Sequence, residues 1–173
     1  VVLRGVNDHT IADLARRFKG TGHIVRFIEF MDVGTINGWK MDQVVPAAEV
    51  FERINAVMPI EPVPPSYPGE VAERFRYLDG SGEIGIIASV TRPFCRTCTR
   101  ARLSTDGKLL TCLFATQGHD LRNPLRAGAS DEELEGMVRG VWSARTDRYS
   151  EIRAALTEAQ GVGRKVEMYQ IGG

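Results

Sequence analysis

Residues 1–31 constrain the fold most. Val1–Arg4 is a short β-type run, and Gly5-Val6-Asn7-Asp8 reads as a turn. Ile11, Leu14, Ala15 and Phe18 then recur at helical spacing behind two capping candidates, Asp8 and Thr10. Gly20-Thr21-Gly22 stops that helix. His23–Met31 is nearly continuous in apolar residues, the pattern of a parallel strand covered on both faces. Strand, helix and strand within about thirty residues make a βαβ unit with a right-handed crossover. The expected fold class is therefore α/β, with the last units of an incomplete TIM-type barrel or open parallel sheet at the start. A chain that opens inside an apolar run, without Met, also reads as a fragment of a longer polypeptide, and the exposed edge of such a barrel would favour self-association.

Asp32 to Asp42 is a loop rich in Gly and Asn around Trp39. Pro46 suits the first turn of a helix over Ala47–Met58, with Val50, Phe51, Ile54 and Val57 as its apolar face. Pro59 ends it, and Pro62, Pro64, Pro65 and Pro68 then form an extended connector. A boundary is placed there, with residues 1–58 as barrel-type βα units and 59–173 as a second, α+β domain. In that second part, Val71–Leu78 and Glu83–Val90 flank Asp79-Gly80-Ser81-Gly82, a hairpin signal. Ala101–Ser104 and Lys108–Leu113 form a second pair around Thr105-Asp106-Gly107. A short helix is expected near Asp120–Ala127. A longer one begins at Ser130, whose spacing to Glu133 is that of a capping box, and another runs from Tyr149 to Ala159.

The 173 residues are 43% hydrophobic and 25% charged, which excludes a disordered chain and permits one full core plus an appendage. Lys plus Arg equals Asp plus Glu at 22 each, which argues against a broad nucleic-acid surface. No apolar run approaches the ~20 residues that cross a bilayer.

All three cysteines fall close together. Two residues separate Cys95 from Cys98, and thirteen separate Cys98 from Cys112. The close pair brings two thiolates to one metal from a tight turn, and a hairpin returns the third. An odd count without signs of secretion argues against a disulfide. Zinc would need a fourth ligand, for which His119 is the nearby candidate. Three thiolates would instead hold a four-iron cluster with one iron open to a substrate. Spacing alone leaves both possibilities standing. Arg100 and Arg102, two residues apart on an expected strand, share a face and offer bidentate donors to an anionic ligand, or else form a solvated charged face.

The run Phe94-Cys95-x-x-Cys98-Thr99-Arg100-Ala101-Arg102-Leu103, with Asp106-Gly107-Lys108 and Cys112-Leu113, resembles the C-terminal region of the GTP 3′,8-cyclase family. These are radical S-adenosylmethionine enzymes of molybdenum cofactor biosynthesis. Arg26-Phe27-Ile28-Glu29-Phe30-Met31, Asp147-Arg148-Tyr149-Ser150 and the terminal Gly172-Gly173 resemble further family segments. The resemblance implies that Cys95, Cys98 and Cys112 hold a 4Fe-4S cluster that takes the guanine of GTP. It also implies that Arg100, Ala101 and Arg102 bind GTP and that Met31 contacts S-adenosylmethionine; Arg26, on the same expected strand, either faces that site or is a salt-bridged strand arginine. In the family, a 5′-deoxyadenosyl radical abstracts hydrogen from the ribose C3′, which then bonds to C8 of guanine. The Gly172-Gly173 tail enters the active site and assists turnover. The radical cluster's Cys-x-x-x-Cys-x-x-Cys motif is absent from this chain, so no catalysis is expected from it alone. Its expected partners are GTP, the N-terminal radical S-adenosylmethionine part of the same polypeptide and a second copy in a homodimer, with no membrane or nucleic acid, and its expected location is cytoplasmic.

Overall fold

The computed structural model describes residues 1–153 and 166–171. It is a mixed α/β structure that divides into two compact units, residues 1–31 with 39–98 and residues 32–38 with 99–173. The proline connector expected at a boundary lies inside the first unit, where it supplies a strand.

The first unit is a four-stranded sheet covered on one face by two helices. The strands are β1 (Val25–Ile28), β2 (Ile60–Val63), β3 (Glu73–Tyr77) and β4 (Glu83–Ile87), in the order β1-β4-β3-β2. β1 runs parallel to β4, and the other pairs are antiparallel. The opening residues contribute single bridges, Val2 to Glu29 in parallel and Leu3 to Val44. The expected first strand is thus reduced to bridge contacts, and the expected nine-residue second strand is four residues long. Pro62 cannot donate to a ladder and is tolerated in β2 because that strand lies at the sheet edge.

Helix α1 (Ile11–Phe18) buries only Ile11 and Ala15, one i,i+4 stripe. Leu14 and Phe18, expected on the buried face, are exposed. Helix α2 (Ala47–Asn55) buries Ala47, Val50 and Ile54, with Phe51 packed beside Phe75. It ends at Asn55, short of the expected Met58, and Val57 is exposed; the Asn55 side chain accepts the Ile60 N–H at 3.0 Å. The core lies between these helices and Phe27, Ile60, Phe75, Tyr77, Ile84 and Ile86. The opposite sheet face carries charge, with Arg74 paired to Glu83 and Arg76 to Glu61.

The Asp79–Gly82 turn closes the β3–β4 hairpin as expected, with Gly80 and Gly82 both at positive φ. Lys19, just past α1, pairs with Asp79, so the helix end and the hairpin tip are tied together.

The second unit contains a small antiparallel sheet, β5 (Arg102–Leu103), β6 (Lys108–Leu110) and β7 (His119–Asp120), in chain order. Helices α3 (Arg122–Arg126) and α4 (Asp131–Ser143) follow. The predicted capping box is present, with the Glu133 N–H on Ser130 Oγ at 3.2 Å and the Ser130 N–H on Glu133 Oε2 at 2.8 Å. Residues 149–153 are helical, and the remainder of the helix expected to Ala159 lies outside the described residues. Among the described residues no helix is long and apolar enough to cross a membrane.

Ile54 and Ile86 are almost completely enclosed, at 0% and 1% exposure. Truncating either to Ala should destabilise the first unit by about 2–5 kcal/mol, read from denaturant unfolding. The exposed change Leu14→Ala should cost well under half of that.

Candidate functional site

In the first unit the chemistry-bearing residues sit on β1 and on the loop after β4. Arg26 is exposed on β1 and lies over Gly85, its register partner on β4. A Cβ on Gly85 would come within 3.1 Å of Arg26 Cγ and 3.3 Å of the Ala72 Cβ. The missing side chain makes room for Arg26 across the sheet face opposite the core, and explains a glycine in mid-strand. Met31 is half-buried, three residues beyond the end of β1. The backbone between them is held by Trp39, whose indole N–H donates to the Phe30 carbonyl at 2.7 Å.

Glu29 is the one charged side chain of the first unit that is buried, at 2% exposure, among the described residues. Its carboxylate accepts from the Ala47 N–H at 2.7 Å, the Val90 N–H at 2.7 Å, the Thr91 N–H at 2.9 Å and the Thr91 hydroxyl at 2.5 Å. Four residues further on, Cys95–Thr97 is a 3-10 turn in which the Cys98 N–H donates to the Cys95 carbonyl at 3.3 Å. Both thiols are half-buried.

In the second unit, Arg102 is half-buried on β5 opposite Leu110. Arg100 is exposed and precedes the strand, which is shorter than expected, so the strand itself does not place both arginines on one face. The β5–β6 turn is built by short polar side chains. Ser104 Oγ donates to Asp106 at 2.5 Å and accepts the Lys108 N–H at 3.0 Å. Gly107 has φ +78°, and a Cβ there would meet the Arg122 side chain at 2.6 Å. Lys108, and then Ser104, lower the Asp106 carboxyl to about 2.

Cys112 follows β6 in a turn. The Phe114 N–H points at its sulfur at 3.4 Å, and the Ala115 N–H donates to its carbonyl at 3.3 Å. None of the three cysteines is in a disulfide.

Phe114 stacks on Tyr149, with ring centroids 4.5 Å apart. The Tyr149 hydroxyl donates to Asp32 Oδ2 at 2.5 Å, and Arg153 Nε lies 2.8 Å from Asp32 Oδ1. The Arg153 guanidinium also sits 5.3 Å from the Phe114 ring centroid. Burial, and then the Asp32 carboxylate, push the Tyr149 hydroxyl well above the ordinary phenol range, so it stays a donor.

A second buried acid, Glu167, accepts from the Thr35 N–H at 2.8 Å and from its hydroxyl at 2.5 Å. Gly34, at φ +67°, leaves the space that Glu167 occupies. The Val166 N–H donates to the Ala115 carbonyl at 3.1 Å.

A sequence model of the family described as Molybdenum Cofactor Synthesis C matches residues 23–151, from just before β1 into the helical residues at Tyr149. The chain belongs to that family. It is 51% identical along its whole length to a protein named GTP 3′,8-cyclase from Acidothermus cellulolyticus, covering 54% of that relative. It is likewise 51% identical to one from Xanthomonas axonopodis pv. citri and 47% to one from Aquifex aeolicus, covering 50% of each. The chain thus spans about half the length of the curated relatives it matches.

Of the expected site residues, Cys95 and Cys98 lie in the first unit and Cys112, Arg100, Ala101 and Arg102 in the second. Among the described residues, no three His, Cys, Asp or Glu side chains are gathered closely enough to hold a metal ion. His119, the fourth ligand of the zinc alternative, is exposed on β7 opposite Leu109, and that alternative has no support. Gly172 and Gly173 lie outside the described residues. Glu29, Asp32, Arg153 and Glu167 are buried polar residues that no motif in the sequence marks as site residues. Each is a polar residue whose partners lie far along the chain; a carboxylate inside the apolar run 24–31 was the one available signal, for Glu29.

The Asp106 turn yields a pH prediction. Its folded value lies below the ordinary carboxylate range, so its contribution is present above about pH 4 and is lost as pH falls through about 2. Carboxyl NMR titration should place the Asp106 midpoint near 2, and Lys108→Met should raise it.

Proposed function

We propose that the chain is the substrate-side part of a GTP 3′,8-cyclase, acting in molybdenum cofactor biosynthesis as half of a longer radical S-adenosylmethionine enzyme. The observation that carries this reading is the donor set. It comprises two thiols on one tight turn, a third thiol receiving a backbone N–H, and Arg100 and Arg102 within seven residues of the pair. Thiolates with N–H donors on sulfur suit iron–sulfur ligation. The residues therefore fit the implied 4Fe-4S cluster by chemistry, with Cys95, Cys98 and Cys112 as its ligands. When bound, it supplies an open iron as a Lewis-acid position for the purine.

The chain's own residues do the rest. Arg100 and Arg102 take phosphate oxygens through paired N–H donors, and the Ala101 backbone sits between them. Arg26 projects from the sheet face made open by Gly85 and, with Met31 at the same strand's end, contacts S-adenosylmethionine. The parallel β1–β4 pair and the Val2–Glu29 bridge support descent of this sheet from the last units of a TIM-type barrel. Gly172 and Gly173, without Cβ atoms, suit close approach to a bound nucleotide. The chain alone is inactive on this reading, the N-terminal part being its obligatory partner. The complete enzyme is a cytoplasmic homodimer.

In the full-length enzyme, Arg100→Ala and Arg102→Ala should each remove charge-assisted contacts worth about 1.5–3 kcal/mol. GTP should bind about tenfold or more weakly, with iron and sulfide content unchanged. Calorimetric titration with GTP alongside iron analysis checks this; wild-type affinity in both variants would return the arginines to a solvated face. Cys112→Ser should lower iron per chain while leaving GTP-independent folding, read by circular dichroism, intact.

A further inference from the structure

We propose that Glu29 is a positioning residue for the Cys95–Cys98 turn, setting that turn against the segment that carries Arg26 and Met31. The inference rests on the cluster reading above, but concerns a side chain to which that reading gives no role. Glu29 is the register point between β1 and three other pieces of the first unit. Through Val2 it bridges to the start of the chain. One carboxylate oxygen takes the Ala47 N–H at the start of α2, and the pair of oxygens takes the Val90 N–H, the Thr91 N–H and the Thr91 hydroxyl.

The loop beyond β4 is pinned again at the next residue. The Arg92 N–H donates to the Ala88 carbonyl at 3.2 Å, and the Arg92 guanidinium pairs with Glu73 at 2.6 Å. From Thr91 the chain reaches Cys95 in four steps, at most ~14 Å at ~3.5 Å per residue. Pro93 fixes one φ on that path and restricts Arg92 before it. The path is short, so the place of Thr91 limits where Cys95 can lie. Glu29 therefore acts through Thr91. Two residues further along the chain is Met31, so one side chain couples the spacing of the two ends of the site that belong to this unit.

The acceptor demand is specific. Four donors converge on two oxygens, and an amide in place of the carboxylate would turn an NH2 group toward them. A purely structural acid would be felt throughout the sheet, whereas a positioning acid is felt first in the loop.

The test uses the full-length protein with Thr91→Val and Glu29→Gln. Thr91→Val removes one donor, is close to isosteric and leaves the buried backbone contacts in place. Amide hydrogen exchange is read by peptide across β1–β4 and across residues 88–98. The rate of alkylation of Cys95 and Cys98 by iodoacetamide is read on chelator-treated protein, which needs no bound metal. Thr91→Val should raise exchange in 88–98 and alkylation of both thiols about tenfold, a factor equivalent to ~1.4 kcal/mol, with β1–β4 exchange as in wild type. Glu29→Gln should raise them further and shift the electron paramagnetic resonance spectrum of the reconstituted protein. Unchanged alkylation in Thr91→Val overturns the proposal, as does an equal rise in exchange across the whole sheet. A wild-type protein that takes up no cluster on these cysteines would defeat the cluster reading alone, because the exchange and alkylation measurements stand without it.

Discussion

One buried carboxylate organises the first unit. Taking an ionised acid out of water is costly unless its oxygens are fully hydrogen-bonded. Glu29 meets that condition by collecting donors that have no other natural partner. The Ala47 N–H is in the first turn of α2, where no preceding carbonyl is available to it, and the helix dipole favours a negative charge there. The Val90 and Thr91 N–H groups lie just past β4, where the ladder has ended. Each would cost about 1–3 kcal/mol if buried without an acceptor. A single side chain on the parallel strand thus satisfies a helix start and a loop start together. The sheet order, with β1 beside β4, is what brings those two within its reach.

The second unit uses the same device twice. Asp32 receives the Tyr149 hydroxyl and faces Arg153, and Glu167 receives both donors of Thr35. These contacts are why residues 32–38 belong with the C-terminal part of the chain rather than with the strand before them. In each case the acid and its donors are far apart in sequence, so the contact closes a long loop and its benefit depends on the rest of the unit being formed. The stacking of Phe114 on Tyr149 carries the effect on to the Cys112 turn, because the Phe114 N–H is the group aimed at the sulfur.

Local signals in the sequence survive into the structure wherever short-range chemistry decides the outcome. The Ser130 capping box, the Asp79–Gly82 hairpin turn, the helix from Ile11 and the one from Ala47 all follow from residues within a few positions of each other. Extents fared less well. Apolar runs at 1–4 and 23–31 read as long strands, but only paired residues form ladders, and pairing is set by neighbours elsewhere in the chain. Val57 continues the helical period of α2 yet lies past its end and is exposed. The prolines after Met58 signalled an extended segment and did not reveal that it would pair at a sheet edge. Site residues divided similarly. Cysteines and arginines are recognisable by type and spacing, whereas Glu29, Asp32 and Glu167 look like ordinary surface acids until their distant donors are in place.

The segment that carries the thiols is held differently from the scaffold around it. Thr91 and Arg92 are fixed by buried and charged contacts, and β6 is fixed by Leu109 and Leu110. Between them, residues 93–101 contain one 3-10 turn and no strand. Ordering such a stretch costs about 1–2 kcal/mol per residue in backbone entropy. Ligand sets of this kind are completed by the group they bind, whose binding energy becomes folding energy for the loop. A rigid anchor at one end is then valuable, since it lowers the entropy that ligation must overcome and fixes where the first two thiols can go. Gly107 and the Ser104–Asp106–Lys108 turn serve the returning hairpin in the same way, by making its reversal tight before the third thiol is reached.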